Sequence, residues 1–182
     1  MRLIAPLLLA GAAAAATLSL PAAAHRELGA HEHGRGTFSI AIEGSRVTME
    51  LEAPGADIVG FEHAATSKGD QAAVEKAKSQ LMQPLALFVL PAAAGCRVVE
   101  AKVEIEGGGK AKGASKSESH AEFHAEYALD CQSPAGITGI EFPYFRTFAR
   151  AQRLEVNVIT SKAQSRFEVS RAKPSLNLAG MI

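Results

Sequence analysis

Three of the six histidines lie close together near the start of the chain, as His25, His31 and His33 in the stretch A-H-R-E-L-G-A-H-E-H-G. Neutral imidazoles are good ligands for Zn²⁺ and Cu²⁺. His31 and His33 stand two residues apart, so in an extended backbone their side chains leave the same face about 6.6 Å apart. This spacing favours a shared metal ion, although a polar, frayed chain end gives the same pattern without one.

The residues in front of this cluster have the pattern of a secretory signal peptide. Arg2 provides a basic start, residues 3–20 are almost wholly apolar, and residues 22–24 are the small alanines that signal peptidase requires. Cleavage after Ala24 would give His25 a free α-amine, which is a further nitrogen donor. We therefore expect residues 1–24 to be a signal peptide and the protein to be periplasmic, with an uncleaved membrane anchor as the alternative.

The composition limits the classes of partner. Lys and Arg number 19 and Asp and Glu number 19, and no basic stripe is present, which argues against nucleic acid. After the signal, no apolar run approaches the roughly 18 residues that span a bilayer. Residues 25–182 have the usual size of a single domain with a real core.

The chain has two cysteines, Cys96 and Cys131. An even pair in an exported chain favours a structural disulfide. Two thiolate ligands to a metal are the alternative, but the residues do not form a C-x-x-C pair. Each cysteine lies at the same end of a predicted hairpin, which agrees with the disulfide.

Alternating apolar residues predict a β-rich domain. Three hairpins are expected, formed by residues 37–42 with 47–52, 97–106 with 119–131, and 153–160 with 164–169. In the second hairpin, Val99, Ala101, Val103 and Ile105 are predicted to face the core. Tyr144, Phe145 and Phe148 are expected to form an aromatic cluster on it.

One main helix is predicted over residues 67–83, where Ser67 or Thr66 can cap the start and Pro84 ends it. Residues 85–90 are wholly apolar and read as a buried strand or a packed loop. Residues 107–118 have no apolar side chain larger than alanine, so we expect a flexible loop. Together these elements predict an α+β fold, a mostly antiparallel and sandwich-like β-sheet with one main helix.

The other histidines differ in whether their predicted positions allow them to bind the same ion. His120 and His124 would be neighbours on a helix, but on the predicted strand they lie about 13 Å apart. At most one of them can join the N-terminal site, and we choose His120 because it is nearer the flexible loop. His63, at a strand-to-helix junction, is either a ligand or a structural histidine.

Catalysis has no support in the sequence. The chain contains no G-x-S-x-G, no H-E-x-x-H and no glycine-rich phosphate loop before a helix. We therefore expect that the protein is not an enzyme.

Five ordered blocks of the sequence resemble one known family: A-H-E-H-G with I-A-I-E-G, L-E-A-P-G-A-D-I-V-G-F-E-H, L-F-V-L-P-A-A-A-G-C and H-A-E-F-H-A-E-Y-A-L-D-C. This is the ZrgA-type family of bacterial periplasmic zinc-binding proteins linked to zinc uptake. The resemblance implies an exported protein that binds Zn²⁺ and supports its delivery to an uptake transporter. It points to His31, His33, His63 and His120, which fall in the H-x-H-G, F-E-H and H-A-x-F blocks. His25 is a possible further ligand because signal cleavage would free its α-amine.

The chain departs from this family in the loop at residues 107–118. Many members carry a histidine-rich tract there, whereas this loop has lysines and no histidine, which implies a lower zinc capacity. The affinity order would favour Cu²⁺ over Zn²⁺ if the geometry allowed both. The competing hypothesis is an exported β-rich interaction module whose histidines have no metal role.

Overall fold

The computed structural model describes residues 33–107 and 120–182. Within these ranges the fold is α+β, mostly β and sandwich-like, as the sequence predicts. The strands are β1 (Arg35–Glu43), β2 (Arg46–Pro54), β3 (Cys96–Glu106), β4 (Glu122–Cys131), β5 (Gly139–Glu141), β6 (Arg153–Thr160), β7 (Gln164–Ser170) and β8 (Ser175–Asn177). The helices are α1 (Gly55–Ile58), α2 (Lys68–Leu81), α3 (Pro84–Leu87) and α4 (Tyr144–Thr147). The predicted signal peptide, His25, His31 and nearly all of the predicted loop at 107–118 lie outside the described residues.

Six strands form one sheet in the order β3-β4-β2-β1-β6-β7, and β5 pairs with β8 in a small second sheet. The three predicted hairpins are confirmed. One pair departs from the antiparallel expectation, because β1 and β6 run parallel. The chain leaves β4, crosses the core through β5 and α4, and returns beside β1 in the same direction. Alternation of apolar residues sets which face of a strand is buried but does not reveal its neighbour or direction.

The core lies between one face of the large sheet and a layer formed by the helices, the small sheet and the loops. Phe38 on β1 stacks on Phe88 with ring centroids 4.3 Å apart, and Phe88 also stacks on Tyr144 at 5.8 Å. Tyr144, Phe145 and Phe148 are all buried and in mutual contact around Tyr144. The predicted aromatic cluster is therefore confirmed as the contact between the two layers.

The prediction that Val99 faces the core is wrong. The β3–β4 register shifts between Val98 and Glu100, so a β-bulge inserts one extra residue there. Val99 is 60% exposed, whereas Ala101, Val103 and Ile105 beyond the bulge face the core as predicted.

The main helix agrees with the sequence in type and position. Ser67 is its N-cap, and a capping box pairs the Ser67 side chain with the amide of Asp70 and the Asp70 side chain with the amide of Ser67. The apolar run at 85–90 is neither a regular strand nor a simple loop: α3 occupies its start, and Val89 then bridges to Glu141. No helix within the described ranges is long and apolar enough to cross a membrane.

Cys96 and Cys131 form the predicted disulfide. They face each other in the β3–β4 register, as Glu106 and Glu122 do at the far end of the same pair of strands. The disulfide therefore fastens one end of this pair, and the polar residues discussed next lie at the other end.

Candidate metal site

The carboxylate of Glu62 lies between two imidazoles from distant parts of the chain. Its Oε1 is 3.0 Å from His33 Nε2, and its Oε2 contacts His120 Nδ1. The Glu62 side chain is only 12% exposed. Oε1 is buried and makes no hydrogen bond of regular geometry within the described residues. The structure thus brings one nitrogen from each histidine to a different oxygen of one nearly buried carboxylate.

The backbone contacts of the next residue, Gly34, fix the position of His33. The Gly34 amide donates to the buried Oδ1 of Asp57 at 2.8 Å, and its carbonyl accepts from the amides of Gln152 and Arg153 at 3.0 and 2.9 Å. Gly34 has a φ of 83°, in the left-handed region that favours glycine. These contacts fix the turn before β1, so His33 projects from an anchored backbone although its ring is largely exposed.

The segment around α1 holds Glu62 against His120. The Ala121 amide donates to the Glu62 carbonyl at 3.0 Å, and the Gly55 amide donates to the Ala121 carbonyl at 2.7 Å. A Cβ on Gly55 would lie 2.6 Å from the Phe61 carbonyl oxygen, so only glycine fits this close approach. Because both backbone groups of Ala121 are bonded to this segment, the neighbouring His120 is set beside the Glu62 side chain.

Asp57 adds a second carboxyl group to this region. Burial raises its pKa above the ordinary value, the hydrogen bond from Gly34 and the nearby His33 act to lower the pKa, and the charge of Glu62 raises it further. Asp57 and Glu62 thus place two carboxyl groups near His33. Positive charge near His33 would favour the ionised form of Asp57.

His63 faces away from this carboxylate. Its ring stacks on Phe61 with centroids 4.7 Å apart, and its Nδ1 lies 3.0 Å from the Ala64 carbonyl oxygen. Since Phe61 and His63 share one side of the segment, the residue between them, Glu62, points to the other. Within the described residues His63 makes no ion pair with Glu62. Its predicted role as a ligand stays a prediction.

Two imidazoles and one carboxylate are a common ligand set for Zn²⁺. Donor atoms bound to one tetrahedral zinc ion are separated by about 3.3 Å, close to the 3.0 Å between His33 Nε2 and Glu62 Oε1. The same carboxylate could instead orient a histidine by accepting its ring N–H, an arrangement that is frequent around bound metals. Within the described residues the ligand atoms of His33, Glu62 and His120 do not form a group that lies mutually within 4.8 Å, so one ion bound by all three would require the largely exposed His33 ring to move toward His120.

Sequence reasoning selected His33 and His120 but missed Glu62. Glu62 directly precedes His63 in the block G-F-E-H, and this adjacency is the one sequence feature that marks it. A carboxylate is less informative than a histidine in this chain, because the chain has 19 acidic residues and only six histidines. His25 and His31 lie outside the described residues, so their positions relative to Glu62 stay predictions.

His124 belongs to a different group, as expected for a strand. It lies on β4 opposite Glu52 of β2, and its Nε2 is 3.1 Å from Glu122 Oε2. The hydrogen bond to Glu122 raises the pKa of His124, burial acts to lower the pKa, and the charges of Glu122, Glu106 and Glu52 raise it further. The alternation of β4 predicts a solvated histidine on the polar face, so the burial of His124 departs from the sequence pattern.

A comparison with known families matches residues 30–178 to the family described as ZrgA family zinc uptake protein. Because this match spans most of the chain, the protein belongs to that family. No curated protein gives a significant match.

Proposed function

We propose that this member of the ZrgA family is an exported, periplasmic zinc-binding protein that takes up Zn²⁺ at Glu62, His33 and His120 and delivers it to an uptake transporter. The family supports a role in zinc uptake. The ligand set and the delivery step are our inference. The protein acts by binding and releasing an ion, and no catalytic role is proposed.

The observation that carries the proposal is the environment of the Glu62 carboxylate. It is nearly buried, one oxygen lacks a regular hydrogen bond, and an imidazole nitrogen lies beside each oxygen. A nearly buried carboxylate costs free energy unless positive charge or hydrogen-bond donors lie beside it. A divalent cation would supply that charge, and the exposed His33 ring would move to bind the same ion as His120.

The remaining ligand position would be filled from the segment that precedes His33. His31 is two residues away, and cleavage after Ala24 would place the α-amine of His25 on the same segment. His63 is the third candidate. A site that keeps one position open to ligand exchange suits a carrier better than a closed structural site with four protein ligands.

The proposed export is consistent with the disulfide bond. The Cys96–Cys131 disulfide is compatible with an oxidising compartment such as the periplasm. Residues 1–24 would direct export and be removed. The transporter component that receives the ion would be the functional partner.

Equilibrium dialysis of the mature protein with Zn²⁺, Cu²⁺ and Mn²⁺ tests the proposal. We expect tight Zn²⁺ binding that falls at least tenfold in Glu62→Gln and in His33→Ala, and further in the His33→Ala/His120→Ala double variant. Glu75→Gln, an exposed acid on α2, is the matched control for loss of one negative charge. Wild-type affinity in Glu62→Gln and in the double variant would reject this site, whereas absence of Zn²⁺ binding by the wild-type protein would favour the interaction module.

Delivery needs a separate experiment. Cells that lack the protein should grow poorly when zinc is limited by a chelator, and the wild-type gene should restore growth. Glu62→Gln should fail to restore growth at equal periplasmic abundance, whereas Glu75→Gln should restore it. His63→Ala and a variant whose α-amine is blocked then identify which candidate completes the site.

A further inference from the structure

A second group of potential ligands lies on the outer face of the large sheet. Antiparallel pairing of β2 and β4 sets Glu52 opposite His124 and Glu50 opposite Glu126. Ligand atoms of Glu50, Glu52 and His124 lie within 4.8 Å of one another. This group is built from two adjacent strands, so its backbone spacing is fixed by the sheet.

The burial of His124 distinguishes this group from an ordinary acidic surface. His124 is 7% exposed and Glu122 is 5% exposed, although both project from the face opposite the hydrophobic core. The Nδ1 atom of His124 is buried and has no hydrogen-bond partner within the described residues. A nitrogen in this state needs a partner, because its hydration is lost and no group of the described residues accepts or donates a hydrogen bond there.

The two ring nitrogens of His124 have different roles. Nε2 lies 3.1 Å from Glu122 Oε2, close enough to donate a hydrogen bond, and 3.8 Å from Glu106 Oε2. If Nε2 carries the proton, the lone pair is on Nδ1, which lies 3.7 Å from Glu52 Oε1. That separation is too long for a hydrogen bond but close to the roughly 3.3 Å between two donors of one tetrahedral ion.

We propose that Glu50, Glu52 and Nδ1 of His124 form a second binding site for a divalent transition-metal ion, with Glu122 orienting the imidazole through Nε2. A carboxylate that holds the far nitrogen of a metal-binding histidine is a recurrent arrangement. One imidazole with two carboxylates suits Zn²⁺ and Mn²⁺ better than the purely oxygen-seeking Ca²⁺ and Mg²⁺. This site goes beyond the proposed function and does not depend on the ligands at Glu62.

A charged imidazolium is the competing explanation for the same geometry. Glu52, Glu106 and Glu122 all surround His124, and they raise its pKa. The two explanations differ in what added Zn²⁺ does. An imidazolium held only by carboxylates keeps both ring protons, whereas a ligand loses the Nδ1 proton and binds the ion through that nitrogen.

Titration of the full mature protein with Zn²⁺ at pH 7.5, read by dialysis and by ¹⁵N spectra of labelled histidine, decides between them. We expect two ions per chain in the wild type and a change in the Nδ1 resonance of His124 on saturation. His124→Ala and Glu52→Gln should each lose one ion or bind it at least tenfold more weakly. Glu100→Gln, on the same outer face but four residue pairs along β3 from the Glu104–His124 pair, should leave both ions in place.

The two proposed sites fail in different ways. Loss of one ion in Glu52→Gln together with wild-type binding in the His33→Ala/His120→Ala double variant would support this second site and reject the first. Unchanged stoichiometry and affinity in Glu52→Gln, or an unchanged His124 resonance in the saturated protein, would overturn the second site. Glu52→Gln preserves side-chain shape, so it decides the matter even if His124→Ala does not fold.

Discussion

Glu62 and His120 are 58 residues apart in sequence, yet their side chains are in contact. The amide of Ala121, the residue after His120, donates to the Glu62 carbonyl. This backbone hydrogen bond holds the two segments together beside the side-chain contact. This half of the proposed site is therefore positioned by main-chain pairing, which changes little when exposed side chains move. Among the three side chains of the proposed site, the binding of an ion would need to order only the largely exposed His33 ring.

The first prediction concerns Asp57, whose buried Oδ1 accepts the Gly34 amide. Asp57→Ala should lower the free energy of unfolding by about 1–3 kcal/mol, because the Gly34 amide is left buried without an acceptor. Asp57→Asn should stay close to the wild type, since its carbonyl oxygen can still accept and burial already disfavours the charged form. Urea denaturation of the metal-free proteins measures both.

The same two variants distinguish the effect of the Asp57–Gly34 hydrogen bond on the position of His33 from the effect of the Asp57 charge. If Gly34 anchors His33, Zn²⁺ affinity should fall in Asp57→Ala more than in Asp57→Asn. Equal affinities in the two folded variants would mean that the Asp57–Gly34 hydrogen bond does not position the ligand.

Strands with strict alternation were predictable from the sequence. The β4 run from Phe123 to Cys131 places every second residue inward, and one slip would exchange its two faces. The bulge at Val99 was not predictable, because a bulge conserves the local alternation on each side and only breaks the register with the partner strand. The parallel β1–β6 pair likewise depends on a crossover that no local pattern encodes.

The candidate sites were less accessible to sequence reasoning for a similar reason. His33, Glu62 and His120 come from three separate segments, and only the tertiary fold shows that they converge. The role of Glu52 depends on its register with His124 across two strands. Histidine spacing along the chain identified candidates, but the acidic partners were visible only after the strands were paired.

The second prediction concerns the disulfide. Replacing Cys96 and Cys131 with serine should lower the free energy of unfolding by about 4 kcal/mol in the chain-entropy model, given their separation of 35 residues. Zn²⁺ affinity of the folded variant should not change, because the disulfide lies at the opposite end of β3 and β4 from Glu106 and Glu122. A loss of zinc in the folded variant would contradict this and restore the cysteines as ligand candidates.

The third prediction concerns the two tyrosines, Tyr127 and Tyr144. Burial raises the pKa of both hydroxyls far above the ordinary value of about 10. Above pH 10 the unfolded chain therefore loses protons that the folded chain keeps, so the free energy of unfolding falls as pH rises, by up to about 2.7 kcal/mol per pH unit for two groups. Tyrosinate absorbance should appear together with unfolding.

Tyr127→Phe is the control for this pH dependence. It retains the buried ring and removes one titrating group, so the slope above pH 10 should fall by half. Tyrosinate formation in a chain that remains folded would show that the hydroxyls are accessible.

The last prediction links zinc to stability. An ion that binds only the folded chain adds about 2.7 kcal/mol to the free energy of unfolding at a free concentration one hundred times its Kd. This gain should weaken as pH falls, because protonated imidazoles cannot bind the ion, and the raised pKa of His124 means that the part from the His124 site weakens at the higher pH. Glu62→Gln should lose the part of the gain that belongs to the Glu62 site, and Glu52→Gln the part that belongs to the His124 site. Thermal melts with and without Zn²⁺, at pH 7.5 and pH 5.5, measure each contribution, and an equal gain at both pH values would exclude histidine ligands at either site.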